Sequence, residues 1–266
     1  MSVAARICTM KEKKRKKISP ADYKKRGYRQ SITSFSGLVS SYVTVKETDL
    51  HIFAATGTEE NGFNAVHRYR NQLENYISSH PDFLTSLVPL DFDTLATPII
   101  KDMLQAGIAA NVGPMAAVAG AIAEHVGRDL LSTGLDEVIV ENGGDVFLQR
   151  KDDCISAIFA GQSPLSQKVG IRIPAGRMPA GICTSSGTVG HSLSLGQADS
   201  VTVLASSASL ADAAATRLGN EVSSGGKKMI NHALEVAQAI PGLLGVVIIC
   251  GEHIGAWGEI DLVGLD

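Results

Sequence analysis

Aromatic residues are scarce in this chain, at 5% with a single tryptophan, although 44% of its 266 residues are hydrophobic. The core must therefore be built from aliphatic side chains, and there is enough of them for one large domain or two fused small ones. No apolar run reaches the roughly 18–20 residues needed to cross a bilayer. The opening segment MSVAARICTM has no apolar stretch of secretory length and runs directly into lysines. Neither a signal peptide nor a lipid anchor is expected, and the chain reads as cytoplasmic with no membrane contact. Four cysteines (Cys8, Cys154, Cys183, Cys250) form no CxxC pair, so neither a zinc site nor a redox dithiol is signalled. They read as reduced thiols, with Cys183 set apart because it lies in a segment crowded with polar residues.

Charge is distributed unevenly. Residues 11 to 29 hold ten Lys or Arg against Glu12 and Asp22, which leaves the rest of the chain at a formal −11 although the whole is only −3. A basic leader on an acidic body does not make a nucleic-acid-binding domain. Residues 1–29 read either as a solvated, flexible leader or as an electrostatic dock for an acidic partner or RNA. Residues 30–266 form the body.

Weak alternation over Gly37 to Val45 and clearer alternation at Leu50, Ile52 and Ala54 predict two strands joined at Lys46-Glu47-Thr48-Asp49. Phe63, Val66, Leu73 and Ile77 share one face of a helix predicted from Gly62 to Ser79 and closed by Pro81. A second helical region spans Pro98 to Leu131, interrupted at Gly113-Pro114. Further strands are predicted at Glu137–Leu148, Ile155–Ala160, Val169–Ile173, Ser200–Ala205, Leu243–Cys250 and Ala256–Val263, with helices at Leu210–Leu218 and Lys227–Ala239. Each half, about 36–160 and 167–266, thus reads strand–strand–helix–helix–strand–strand. Paired strands favour antiparallel sheets with helices on one face, an α+β fold, over a doubly wound parallel one.

Chemistry-bearing residues gather between these elements. Asp212 and Thr216, four apart at a helix start, point their oxygens off one face and suit a hard cation such as Mg²⁺. The same pair is also explained by the helix dipole and a local hydroxyl bond. Asn142, Gly143, Gly144 and Asp145 interrupt an apolar strand, as a bulge or turn does, or as close approach of a ligand to backbone requires. Cys183, Thr184, Ser185, Ser186 and Gly187 offer hydroxyls and unencumbered amides for phosphate oxygens, or form an ordinary loop. His191 is a general acid or base, or a structural histidine. Gly113, Pro114 and Met115 open a helix whose free amides suit an anion, or simply break it.

In combination these segments resemble the ApbE-like superfamily, which includes the FAD:protein FMN transferases once called thiamine-biosynthesis lipoproteins, and more closely its cytoplasmic UPF branch. The resemblance runs from Tyr28 to Leu265 and is carried by KETDL, VGPMAAVAGAIAEHVG, VIVENGGDVFL, GICTSSGTVGHSLS, ADSVTVLA and LADAAATRLGN. It implies two fused T-fold-like ββααββ subdomains with antiparallel sheets and packed helices. It implies Mg²⁺ on Asp212 and Thr216, with a backbone carbonyl near Gly113 to Gly120 as a further ligand. It also implies FAD or another nucleotide against Asn142–Asp145 and Ser186–Gly187, with His191 as the family histidine. Two departures stand out. Ala119-Gly120-Ala121 lacks the transferases' lysine, and His191-Ser192-Leu193-Ser194 replaces their His-x-x-Asp-Pro segment.

The expectation is a protein that binds a small phosphorylated, nucleotide- or flavin-like ligand with Mg²⁺, extending to FMN transfer onto a protein acceptor. The alternative is a non-catalytic accessory protein linked to sulfur assimilation through homocysteine formation. T-fold relatives often assemble, so a homo-oligomer is also implied. Both readings require that segments around positions 113, 143, 186 and 212 line one cavity.

Overall fold

The computed structural model describes residues 37–186, 196–223 and 226–265. The basic leader, Gly187 and His191 lie outside the described residues.

The chain starts with a hairpin of β1 (Val39–Val45) and β2 (Thr48–Ala54). Val45 pairs with Thr48, which narrows the turn to Lys46-Glu47, with Lys46 at φ 53°. Such two-residue turns match the twist of the flanking strands. Arg70 of helix α1 (Glu59–Ser79) bonds both Glu47 and the Thr48 hydroxyl, and Lys46 pairs with Glu74. The polar KETD step is therefore clamped to α1 as a structural element.

A short helix α2 (Asp82–Thr85) precedes α3 (Pro98–Ala110), which starts on proline and ends at Asn111 in the left-handed region. A 3-10 turn (Pro114–Ala117) then leads into α4 (Val118–Ser132). The region expected from Pro98 to Leu131 is bent by 106° at this break. Among the described residues no single helix is long and apolar enough to cross a membrane.

Eight strands form one antiparallel sheet in the order β1-β2-β3-β4-β7-β8-β9-β10. Its remaining members are β3 (Val138–Asn142), β4 (Asp145–Gln149), β7 (Ala180–Ser185), β8 (Ser200–Ala205), β9 (Leu243–Cys250) and β10 (His253–Gly258). A second sheet joins β5 (Cys154–Ala157), β6 (Val169–Ile173) and β11 (Asp261–Gly264) in the order β11-β6-β5. Helices α5 (Ala208–Glu221) and α6 (Lys227–Gln238) lie between β8 and β9.

The period-2 alternation of strands sorts the core into two layers. Leu50, Ile52, Val140, Phe147, Val203, Val246 and Ile248 face the helices. Phe53, Ile139, Leu148, Ile182, Leu204, Val247 and Ile249 face the opposite way, against Ile158, Ile171 and Ile173 from the small-sheet region. The molecule is thus a mixed α+β fold with two sheets and packed helices.

Three expectations change. The strand predicted over Glu137–Leu148 is a β3–β4 hairpin turning at Gly143-Gly144. The strand over Ala256–Val263 divides at Gly258 (φ 87°), and its two parts enter different sheets. The segment starting at Gly181 is not a loop but most of β7, a central strand whose small and polar residues give weak β signal. β7, rather than β6, pairs with β8; β6 belongs to the small sheet.

Candidate functional site

Four segments meet on the helix-covered face of the large sheet: the β3–β4 turn, the end of β7, the start of α4 and the first turns of α5. Gly143 at φ 74° makes the turn, a conformation that strains any side chain. At Gly144 an added Cβ would stand 2.6 Å from the Thr184 carbonyl oxygen, so the hairpin and β7 approach to backbone contact. The Thr184 amide donates to the Gly144 carbonyl at 2.9 Å. Asn142 donates from Nδ2 to the Ala119 carbonyl at 3.1 Å, which ties the hairpin to α4.

Register places Asp145 opposite Cys183. The thiol is within hydrogen-bonding reach of the Asp145 carboxyl, and its Sγ lies 3.4 Å from the Ala208 carbonyl oxygen. Asp212, on α5, accepts from the Gly120 amide at 2.9 Å and also from the Ala119 amide. Burial pushes the Asp212 carboxyl up to about 7, against the opposing pull of those two amides. Burial also raises Asp145 well above the usual carboxylate range, and the neighbouring Asp212 and Glu141 charges add to it. Cys183 is raised by burial first and then by the two aspartates, so it remains a thiol. Among the described residues, no lysine or arginine contributes to the shift of either aspartate.

The other expected residues divide. Thr216 sits one turn beyond Asp212, half-buried. Ser185 ends β7 and Ser186 follows it, both half-buried. The unencumbered amides expected from Cys183 to Ser185 are absent, because these residues lie in β7 between β4 and β8. The Thr184 hydroxyl lies 3.0 Å from that of Thr202 and, by strand alternation, projects from the face opposite Cys183. Gly113 abuts Ser86 and Leu87, whose backbone leaves no room for a Cβ. Pro114 is buried and Met115 packs on the core, while their 3-10 turn lies against α5. Of the four places expected to converge, the 143 and 212 regions meet around Asp145, joined by the Cys183–Thr184 stretch of β7. The 113 segment joins them only through the turn that leads to Ala119.

Two contributors escape sequence reasoning. The Ala119 and Gly120 amides are invisible in side-chain motifs. Glu124, one of two acidic residues in an alanine-rich helix, carried no pattern beyond its spacing of four from Gly120. Among the described residues, no group of three or more His, Cys, Asp or Glu is arranged to hold a metal ion.

A protein-family model described as AbpE bacteria matches residues 33–258. A UPF0280 protein of Methanococcus maripaludis strain C7 is 46% identical over 199 residues, which span 74% of this chain and 81% of that protein. Another, from Methanocaldococcus jannaschii, is 41% identical over 231 residues, covering 84% and 93%. In fold, the chain is similar to the flavin transferase ApbE from Vibrio cholerae, with a TM-score of 0.56 at 15% identity, covering 84% of this chain and 97% of that one. The ApbE protein from Thermotoga maritima gives 0.51 at 13% identity, covering 84% and 97%. The chain belongs to the family that the AbpE bacteria model describes and is a member of the UPF0280 group of proteins.

Proposed function

We propose that this protein binds Mg²⁺ at Asp212 and Thr216 and, with that ion, a phosphorylated nucleotide-like ligand of which FAD is the type. The carrying observation is the pair of half-buried carboxylates, Asp145 and Asp212, both raised by burial and without a basic side chain contributing to either among the described residues. A hard cation with oxygen ligands would relieve that arrangement, and a small set of protein ligands suits Mg²⁺, which keeps several waters or phosphate oxygens. The bound ion would neutralise phosphate charge. Asp145 and Asn142 would orient the ligand, and Ser185 and Ser186 would supply hydroxyl donors. We read β1-β2 and β3-β4, with α1 to α4 between them, and β7-β8-α5-α6-β9-β10 as two T-fold-like ββααββ units in which α1 and α4 are the principal sheet-packing helices of the first, and this reading supports the same placement at their junction.

The sharper version is flavin transfer from FAD to an acceptor protein; the Vibrio cholerae protein of similar fold is named a flavin transferase. The alanine at position 119 favours a second reading, a ligand-binding accessory role in sulfur assimilation. Calorimetric titration with FAD at rising Mg²⁺ separates these. Mg²⁺-dependent binding, lost in Asp212→Ala, supports the site; no binding at any Mg²⁺ level overturns it. Covalent flavin on an added acceptor supports transfer, and its absence beside intact binding favours the accessory role.

A further inference from the structure

Helices α4 and α5 exchange carboxylates. Asp212 of α5 accepts from the first-turn amides of α4, at Gly120 and Ala119. Glu124 of α4 does the converse. Its Oε2 accepts from the Ala208 amide at 2.8 Å, the Ser207 hydroxyl at 2.9 Å and the Ser209 amide at 3.3 Å. Its Oε1 accepts from Arg128 Nη2 at 2.7 Å and Nε at 3.0 Å. The side chain is only 5% exposed. Each helix start, with its unsatisfied N–H groups, is thereby closed by an acidic residue of the other helix.

The spacing makes this more than two caps. Gly120 and Glu124 are four apart on α4, and Ala208 and Asp212 are four apart on α5, so each pair shares one face. The contacts Gly120–Asp212 and Glu124–Ala208 are then two rungs, one helical turn apart, between antiparallel helices. The helices touch at backbone level, since a Cβ on Gly120 would lie 2.2 Å from the Ala208 carbonyl oxygen. Rotation of α5 about its axis breaks both rungs together.

We infer that Glu124 is the positioning residue for Asp212: by holding the first turn of α5, it fixes the direction in which the Asp212 carboxylate is presented. The link to Mg²⁺ rests on the function proposed above, whereas the ladder itself does not. The test uses the full chain, labelled with ¹⁵N, as wild type, Glu124→Ala and Glu124→Gln. Hydrogen exchange is read at the Gly120 amide, which Glu124 does not touch, and at Val140 and Val247 in the central strands as controls. In Glu124→Ala, Gly120 protection is expected to fall about tenfold or more with the controls unchanged, and Glu124→Gln, which keeps an acceptor, is expected to fall between. Titration with MgCl₂ alone should show weaker binding in the same order. Should Glu124→Ala fail to fold, Glu124→Gln decides alone. Gly120 protection equal to wild type in the folded variants overturns the positioning role, whatever magnesium does. Loss of Gly120 protection in a protein that binds no magnesium even as wild type upholds the ladder and removes the metal reading.

Discussion

Asp212 is pulled in two directions, upward by burial and downward by the Ala119 and Gly120 amides, and burial prevails. A carboxyl raised from its ordinary value of 3.8 to about 7 holds its proton more tightly folded than unfolded. Its stabilising contribution is therefore complete below about 4 and is lost as pH rises through about 7. Metal-free protein should lose on the order of 4 kcal/mol between those limits, shared with Asp145. Asp212→Asn should flatten that decline, and Mg²⁺ should reverse it in the wild type alone; urea melts at pH 5 and pH 8 would show both. At this scale the sequence was readable where spacing along one helix decides: Asp212 and Thr216 do lie one turn apart on α5. It was unreadable where register decides: nothing local to VIVENGGDVFL says that Asp145 will lie opposite Cys183.

Among the elements, the contact between α4 and α5 carries a severe steric demand. Gly120→Ala would drive a methyl against the Ala208 carbonyl and the Asp212 Cβ, and should cost about 1–3 kcal/mol or more. Gly176→Ala, with nothing within 4 Å, should be close to neutral in the same denaturation experiment. Helices were legible through their 3.6-residue period and their prolines, and strands rich in aliphatic and β-branched residues, such as β8 and β9, were found with their ends. β7 was not, because AGICTS looks like a loop until the pressure on Gly181 is known: its Cβ would lie 2.2 Å from the Ala208 Cα. A close approach demands the small residue, and close approach is a tertiary fact. The order read for the second half missed β7 and ran β10 and β11 together, so that β6 was taken for the strand beside β8.

Across the whole molecule, the four-residue ladder between β4 and β7 makes one sheet of two halves. Without the other half, each inner strand would be left with one unpaired edge, β4 held only by β3 and β7 only by β8. Unfolding in urea should accordingly be a single transition, the same by circular dichroism and by fluorescence of Trp257, and two separated transitions would show the halves to be independent. Sequence alone suggested two units of like order but left open how they join, since pairing between distant strands leaves no local periodicity.

That seam has a mechanical corollary. Gly144 to Thr184, Asp145 to Cys183, Gly120 to Asp212 and Glu124 to Ala208 each bridge the first half to the second. The proposed site is thus also the weld: a ligand lodged there would grip both plates at once, and any loosening of the plates would blunt the grip.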